Sequence, residues 1–170
     1  MVMKRSPRLG TLSSNAVRAA LYYARKRRIA RINAAVPAPD PHQYWRVLFS
    51  DTFNPSFTNI AVAELEFRSS VGGADETSPA DAVARSIASS NFSSSFSKEH
   101  GFNDVIGSAN AANQYWAAAT GQHLNSWLGW NFGVGNEKDI VQVILTGIAD
   151  TSQNPLDATV QYSDDGVVWT

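Results

Sequence analysis

Two glutamates two residues apart, Glu64 and Glu66 in AELEFR, have the spacing that best suits general acid–base chemistry in this chain. On a β-strand such residues share a face, which would bring two carboxyls side by side. The plainer reading of the pair, and the preferred one, is a solvated strand face. The three histidines, His42, His100 and His123, lie far apart in linker or loop stretches. Cysteine is absent, which excludes thiol nucleophiles, thiolate metal sites and disulfides. No GxSxG, HExxH or phosphate-cradling glycine loop occurs. The serine-rich SSNFSSSFS reads as a loop rather than a cluster of nucleophiles. The expectation is a protein that is not an enzyme. Five tryptophans, Trp45, Trp116, Trp127, Trp130 and Trp169, offer a different chemistry, because indole faces stack on sugar C–H surfaces. The same rings are natural filling for a small β core, and core packing is the favoured reading.

The elements that must position these groups follow from a change of grammar along the chain. From Tyr44 onward, short runs of aromatic and β-branched residues alternate with Gly, Ser, Asn and Asp, the pattern of an all-β sandwich or barrel. Strands are expected near Tyr44–Phe49, Ala61–Arg68, Ser86–Ser90, Tyr115–Ala118, Trp127–Phe132, Ile140–Thr146, Ala158–Ser163 and Val167–Trp169. In the second, Ala63, Leu65 and Phe67 should face inward while Glu64, Glu66 and Arg68 face water. In the seventh, Ala158, Val160 and Tyr162 should alternate with Thr159, Gln161 and Ser163. Asp164, Asp165 and Gly166 then supply residues that tolerate positive φ, as a hairpin turn requires.

Charge divides the chain into two objects. Residues 1–39 hold nine of the fourteen basic residues and no acid, whereas residues 40–170 hold five basic and fifteen acidic groups, a balance of +9 against −10 within a net −1. In the basic part, Ser13, Ser14 and Asn15 offer N-caps for an amphipathic helix expected to reach about Asn33. Val17, Leu21, Arg25, Arg28 and Ile32 are the residues by which it would anchor to a partner. VPAPDP stops it, because proline lacks an N–H and turns its predecessor away from helix. The division is thus a helical arm and linker over residues 1–41 and a body over 42–170. The arm is compatible with docking on a partner or in an oligomeric stalk, with a solvated tail, with binding phosphates through RKRR, and with an Arg-rich presequence. No apolar run approaches the roughly 18–20 residues of a membrane span, and the first residues lack the continuous apolar segment of a signal peptide.

Six segments, YWRVLFS, IAVAELEFRSSVGG, SIASSNFSSSF, FNDVIGSANAANQYWAA, SWLGWNFG and ATVQYSDDGVVW, occur in an order that resembles the discoidin-like, coagulation-factor type C family. The resemblance covers Tyr44–Thr170 and implies a galactose-binding-like jelly-roll β-sandwich. The variant with YWRVLFS and AELEFR looks like domains appended to phage tail and fibre proteins. It further implies that Trp116, Trp127 and Trp169 are structural, and that a last strand follows Trp169, supplied by further chain, another segment or another subunit. Recognition in the family uses loops at one end of the barrel, here Ser50–Asn59, Ser93–Gly101, Ile106–Asn113 and Thr120–Asn125, with Tyr115, His123 and Asn125 as rim contacts. Many members hold a structural calcium beside the segment matching FNDVIGS, which puts Asn103 and Asp104 forward as ligands, with Asn103 where an Asp is usual. The implied function is a phage tail-fibre or tail-tip component, assembled in the host cytoplasm. Its arm would bind other virion tail proteins, its head would bind a host-surface glycan, and a homo-oligomer, a trimer by analogy with fibres, is expected; nucleic acid and a membrane span are not. The alternative is a purely structural virion module with no ligand of its own.

Overall fold

The computed structural model describes residues 30–32, 40–52, 54, 56–105 and 111–170. It is mostly β, and every strand pairing is antiparallel. Among the described residues nine strands run in chain order as β1 (Ala30–Ile32), β2 (Tyr44–Thr52), β3 (Ala61–Val62), β4 (Glu64–Arg68), β5 (Ser86–Ala88), β6 (Trp116–Ala117), β7 (Ser126–Asn131), β8 (Gln142–Thr146) and β9 (Pro155–Ser163). A single helical turn, α1 (Ala82–Arg85), precedes β5. The sheets are ordered β5-β7-β2-β9, β1-β8-β4 and β3-β6.

The alternation expected of a half-buried strand is clear in β2, where Trp45, Val47 and Phe49 are buried between less buried neighbours. These meet Leu128 and Trp130 of β7 and Leu65 and Phe67 of β4 in one core, which also takes Phe102, Trp116, Ile140 and Val143. Ala158, Val160 and Tyr162 pack on that core from β9, as their spacing predicts.

Three expectations change. The segment around Ala63 is not one strand. Ile60 and Val62 join the main core, Ala61 and Ala63 join a second cluster with Tyr115, Ala117 and Ile148, and Leu65 and Phe67 return to the main core. The parity slips at Ala63 because β3 leaves to pair with β6 while β4 pairs with β8. Next, Val167–Trp169 is not a strand. The Asp165 carboxylate accepts from the N–H groups of Val167 and Val168 and curls the chain, and only Thr170 returns to exchange two backbone hydrogen bonds with Tyr162. Gly166, at φ 72°, makes that turn, and Asp164–Gly166 is where it was expected.

The third change concerns the arm. Residues 1–29 and 33–39, with Val17, Leu21, Arg25 and Arg28, lie outside the described residues. Ala30–Ile32, however, is a strand on β8, with Ile32 opposite Val143, so the expected helix does not extend to Asn33. Strand pairing wins here because β8 otherwise presents an open edge of unpaired N–H and C=O groups. Removing residues 1–29 is therefore expected to leave a monodisperse protein, whereas removing 1–39 bares the β8 edge and promotes association. Size-exclusion chromatography with light scattering at several concentrations checks this, and identical behaviour of the two truncations would assign β1 no protective role.

Candidate functional site

Glu64 begins β4, and sequence alternation assigned it to solvent. It is instead 3% exposed. The reason lies in the chain that crosses the free edge of β4. Phe102 ends a 3-10 segment, Lys98–Phe102, and plugs into the core against Phe67 and Trp130. That anchor lays the next two residues over Glu64. The successive N–H groups of Asn103 and Asp104 donate to Glu64 Oε2 at 3.2 and 2.9 Å. Asp104 adopts φ 57°, a left-handed conformation that Asp tolerates and that turns consecutive N–H groups toward one anion.

Asp75 closes the cluster from the other side. Its Oδ1 accepts from the Phe67 N–H at the free edge of β4 and from the Thr77 N–H, and its Oδ2 accepts from the Thr77 hydroxyl at 2.5 Å. Carboxylate oxygens of Glu64, Asp75 and Asp104 all lie within 4.8 Å of one another. Glu64 Oε1 is buried without a hydrogen-bond partner. None of the three ion pairs among the described residues, His42–Asp164, Arg68–Glu66 and Lys138–Glu76, brings a cation to the cluster.

Electrostatics follow from that geometry. Burial, then the Asp104 charge, push the Glu64 carboxyl up to about 8, with a smaller push from Asp75 and opposition from the two N–H donors. Burial also raises Asp75, against its hydrogen bonds to Thr77 and Phe67. Three carboxyls gathered with one orphan oxygen suit either a shared proton or a hard cation that takes oxygen ligands. The residues therefore fit calcium.

Of the ligands expected from sequence, Asp104 belongs to this cluster. The Asn103 side chain is engaged in its own loop, Nδ2 donating to the Asn113 carbonyl and Oδ1 accepting from the Val105 N–H, and its contribution to Glu64 is its backbone N–H. Sequence reasoning missed Glu64 and Asp75. Glu66, the other half of the carboxylate pair, instead bonds Arg68. The pair does not converge.

The proposed rim residues separate. Tyr115 is a correction: it is 7% exposed, its ring packs 4.7 Å from that of Phe96, and it joins Ala61, Ala63, Ala117 and Ile148 in the second cluster, because β6 pairs with β3 beside it. Asn125 is exposed at φ 61°, and His123 beside it is partly buried with Nδ1 unpartnered. The histidines stay apart as expected: His42 bonds Asp164 at 2.8 Å and stacks on Tyr162, and His100 lies in the Lys98–Phe102 segment. The serine-rich stretch is structural where it is bonded, Ser89 and Ser90 hydroxyls accepting from the N–H groups of Trp127 and Ala119.

The tryptophans divide unexpectedly. Trp45, Trp116 and Trp130 are core. Trp127 and Trp169, expected to be structural, are only partly buried and meet on the outer face of the four-stranded sheet, ring centroids 6.2 Å apart. No family model, no curated protein and no solved structure matches this chain.

Proposed function

We propose that the chain is a phage tail-fibre or tail-tip component, with a galactose-binding-like jelly-roll head that engages a host-surface glycan and a basic arm that joins it to other tail proteins. The observation that carries the reading is where the resembling segments fall. YWRVLFS lies within β2, AELEFR contains β4, SWLGWNFG contains β7, and YSDDGVVW is the end of β9 with its turn. The acidic cluster adds support, because Asp104 comes from the segment in which the family places calcium. Glu64, Asp75 and Asp104 would hold that ion, and when bound it would supply the positive charge that the cluster lacks. The chain's own contribution is to fix Asn103 and Asp104 against β4 through two N–H bonds to Glu64. A homo-oligomer, with a trimer as the fibre-like case, completes the reading.

The test is binding of the full chain to a glycan array and to host cells, with calcium and with chelator. Saturable binding to a defined sugar is expected. His123→Ala and Asn125→Ala should lose host adsorption at least tenfold while assembly stays normal. A folded protein that assembles into particles but binds no glycan or cell would overturn the receptor reading and leave a structural virion module.

A further inference from the structure

The body contains five basic side chains, and four of them spend their charged ends on oxygen atoms. Arg68 bonds Glu66 and Lys138 bonds Glu76. Arg85 donates to the carbonyls of Asn131 and Phe132, and Lys98 donates to those of Val83 and Ser86. Arg46 is different. It leaves the middle of β2 on the outer face of the sheet, and only its Nε has an acceptor, Gln161 Oε1 at 2.8 Å. Among the described residues its two terminal nitrogens have no hydrogen-bond partner and no carboxylate.

What surrounds the guanidinium is aromatic. Its Cζ lies 3.9 Å from the centre of the Trp169 ring and 5.1 Å from that of Trp127. Tyr44 meets the Trp169 edge at 6.5 Å. Gly129 faces Arg46 in register and Ile87 on its other side, so the face carries no side chain between those two. Burial among these rings lowers the Arg46 pKa without bringing a compensating acid. A guanidinium held over indole, with its terminal nitrogens free of other partners, keeps a planar fork of N–H donors available to a carboxylate.

We propose that this sheet face binds a carboxylate-bearing saccharide, of the uronic or sialic acid class, with the carboxylate on the Arg46 fork and the sugar ring against Trp127. Two features of the face select that chemistry. A half-buried indole takes the apolar face of a pyranose on its open side, and a single unpaired fork takes one planar anion. The head's balance of −9 (five basic and fourteen acidic residues over 42–170) disfavours polyanions such as nucleic acid, whose attraction needs many cations rather than one. The choice of a saccharide rests on the adhesion reading; the site itself, on the sheet rather than at the loop rim, does not.

Titration calorimetry of the full chain with galacturonate, glucuronate and N-acetylneuraminate, against galactose, glucose and the neuraminate methyl ester, tests it. At least one acid should bind at least tenfold more tightly than its neutral counterpart. Arg46→Lys keeps the charge and loses the fork, and should weaken binding at least tenfold, as should Trp127→Ala; Val71→Ala, at an exposed residue outside both candidate sites, should leave it unchanged. Thermal melts of each variant show that it is folded. Equal affinity for acid and neutral sugars, or acid binding untouched by Arg46→Lys but lost in His123→Ala, overturns the site. No acid binding by a chain that still adsorbs to host cells overturns the site alone and leaves the adhesion reading standing.

Discussion

Replacing Glu64 by Gln is expected to act in opposite directions with and without calcium. In chelator at pH 8.5 the variant should melt higher than the natural chain, and the rise that calcium brings to the natural chain should vanish. The sign comes from the raised carboxyl. An ordinary glutamate loses its proton near 4.5, whereas Glu64 in the folded protein holds its proton to about 8. Between those values the native state binds more protons than the unfolded chain, so stability falls as pH rises from about 4.5 to about 8 and levels off above. Each unit is worth ~1.4 kcal/mol, which makes the loss on the order of 3–5 kcal/mol over that window. For a domain of this size that amounts to roughly 10 °C in melting temperature.

Gln removes the charge and keeps the shape. Its carbonyl can accept the N–H groups of Asn103 and Asp104, and its amide nitrogen takes the place of the orphan Oε1. On the proposed calcium reading the ion would stabilise the natural chain by replacing the proton, so its effect should be large at pH 8.5 and small at pH 5. Scanning calorimetry at both pH values, with calcium and with chelator, separates the outcomes. Equal stabilisation of both proteins by calcium would place the ion elsewhere, and a lower melting temperature for Glu64→Gln in chelator would contradict the account of the buried charge.

The contrast between what was legible in the sequence and what was not follows physical lines. Strands β2, β7 and β9 were readable because each keeps period-two alternation against one core, and a hydrophobic pattern with one buried face fixes strand identity and register. The Asp-Gly turn was readable because its chemistry is local. The β3–β4 break was not, since it depends on which partner each half pairs with, and Val62, Ala63 and Glu64 are buried on whichever side they point. That same long-range packing hid the site. Glu64 has the sequence signature of a solvated residue, and only Phe102, anchored 38 positions away, brings the covering loop across it. Asp75 sat in an unremarkable loop until its bond to the Phe67 N–H placed it at the edge of β4. Asp104 was found through the resemblance. The sorting of tryptophans failed for a related reason: Trp127 and Trp130 lie on one strand at odd separation, so one must face out wherever the other is core. That parity was available in SWLGWN and points to the outer face.

The center of that face makes the second large prediction, Gly129→Ala. Gly129 lies inside β7, opposite Arg46, and its φ is not in the left-handed region, so conformational freedom is not its reason. Its reason is approach. A Cβ there would lie 2.3 Å from the Trp45 carbonyl oxygen, 2.7 Å from Arg46 Cβ and 2.8 Å from Arg46 Cα. Two of those atoms are backbone of the neighbouring strand, which cannot rotate away as the tip of a side chain can. The methyl must push β2 from β7 in the middle of a six-pair ladder, with Trp45 and Trp130 packed directly beneath. The expected cost is ~3 kcal/mol or more, at the upper end for an overpacked site. Gly72→Ala and Gly121→Ala are the controls, since both occupy positive φ but would meet nothing within 4 Å, and should cost only about 1 kcal/mol through backbone strain. Denaturant melts of the three variants rank them directly. If Gly129→Ala is no worse than Gly72→Ala, the two strands can separate freely, and the close β2–β7 contact that sets Arg46 and Trp127 side by side is not rigid enough to hold a preformed site.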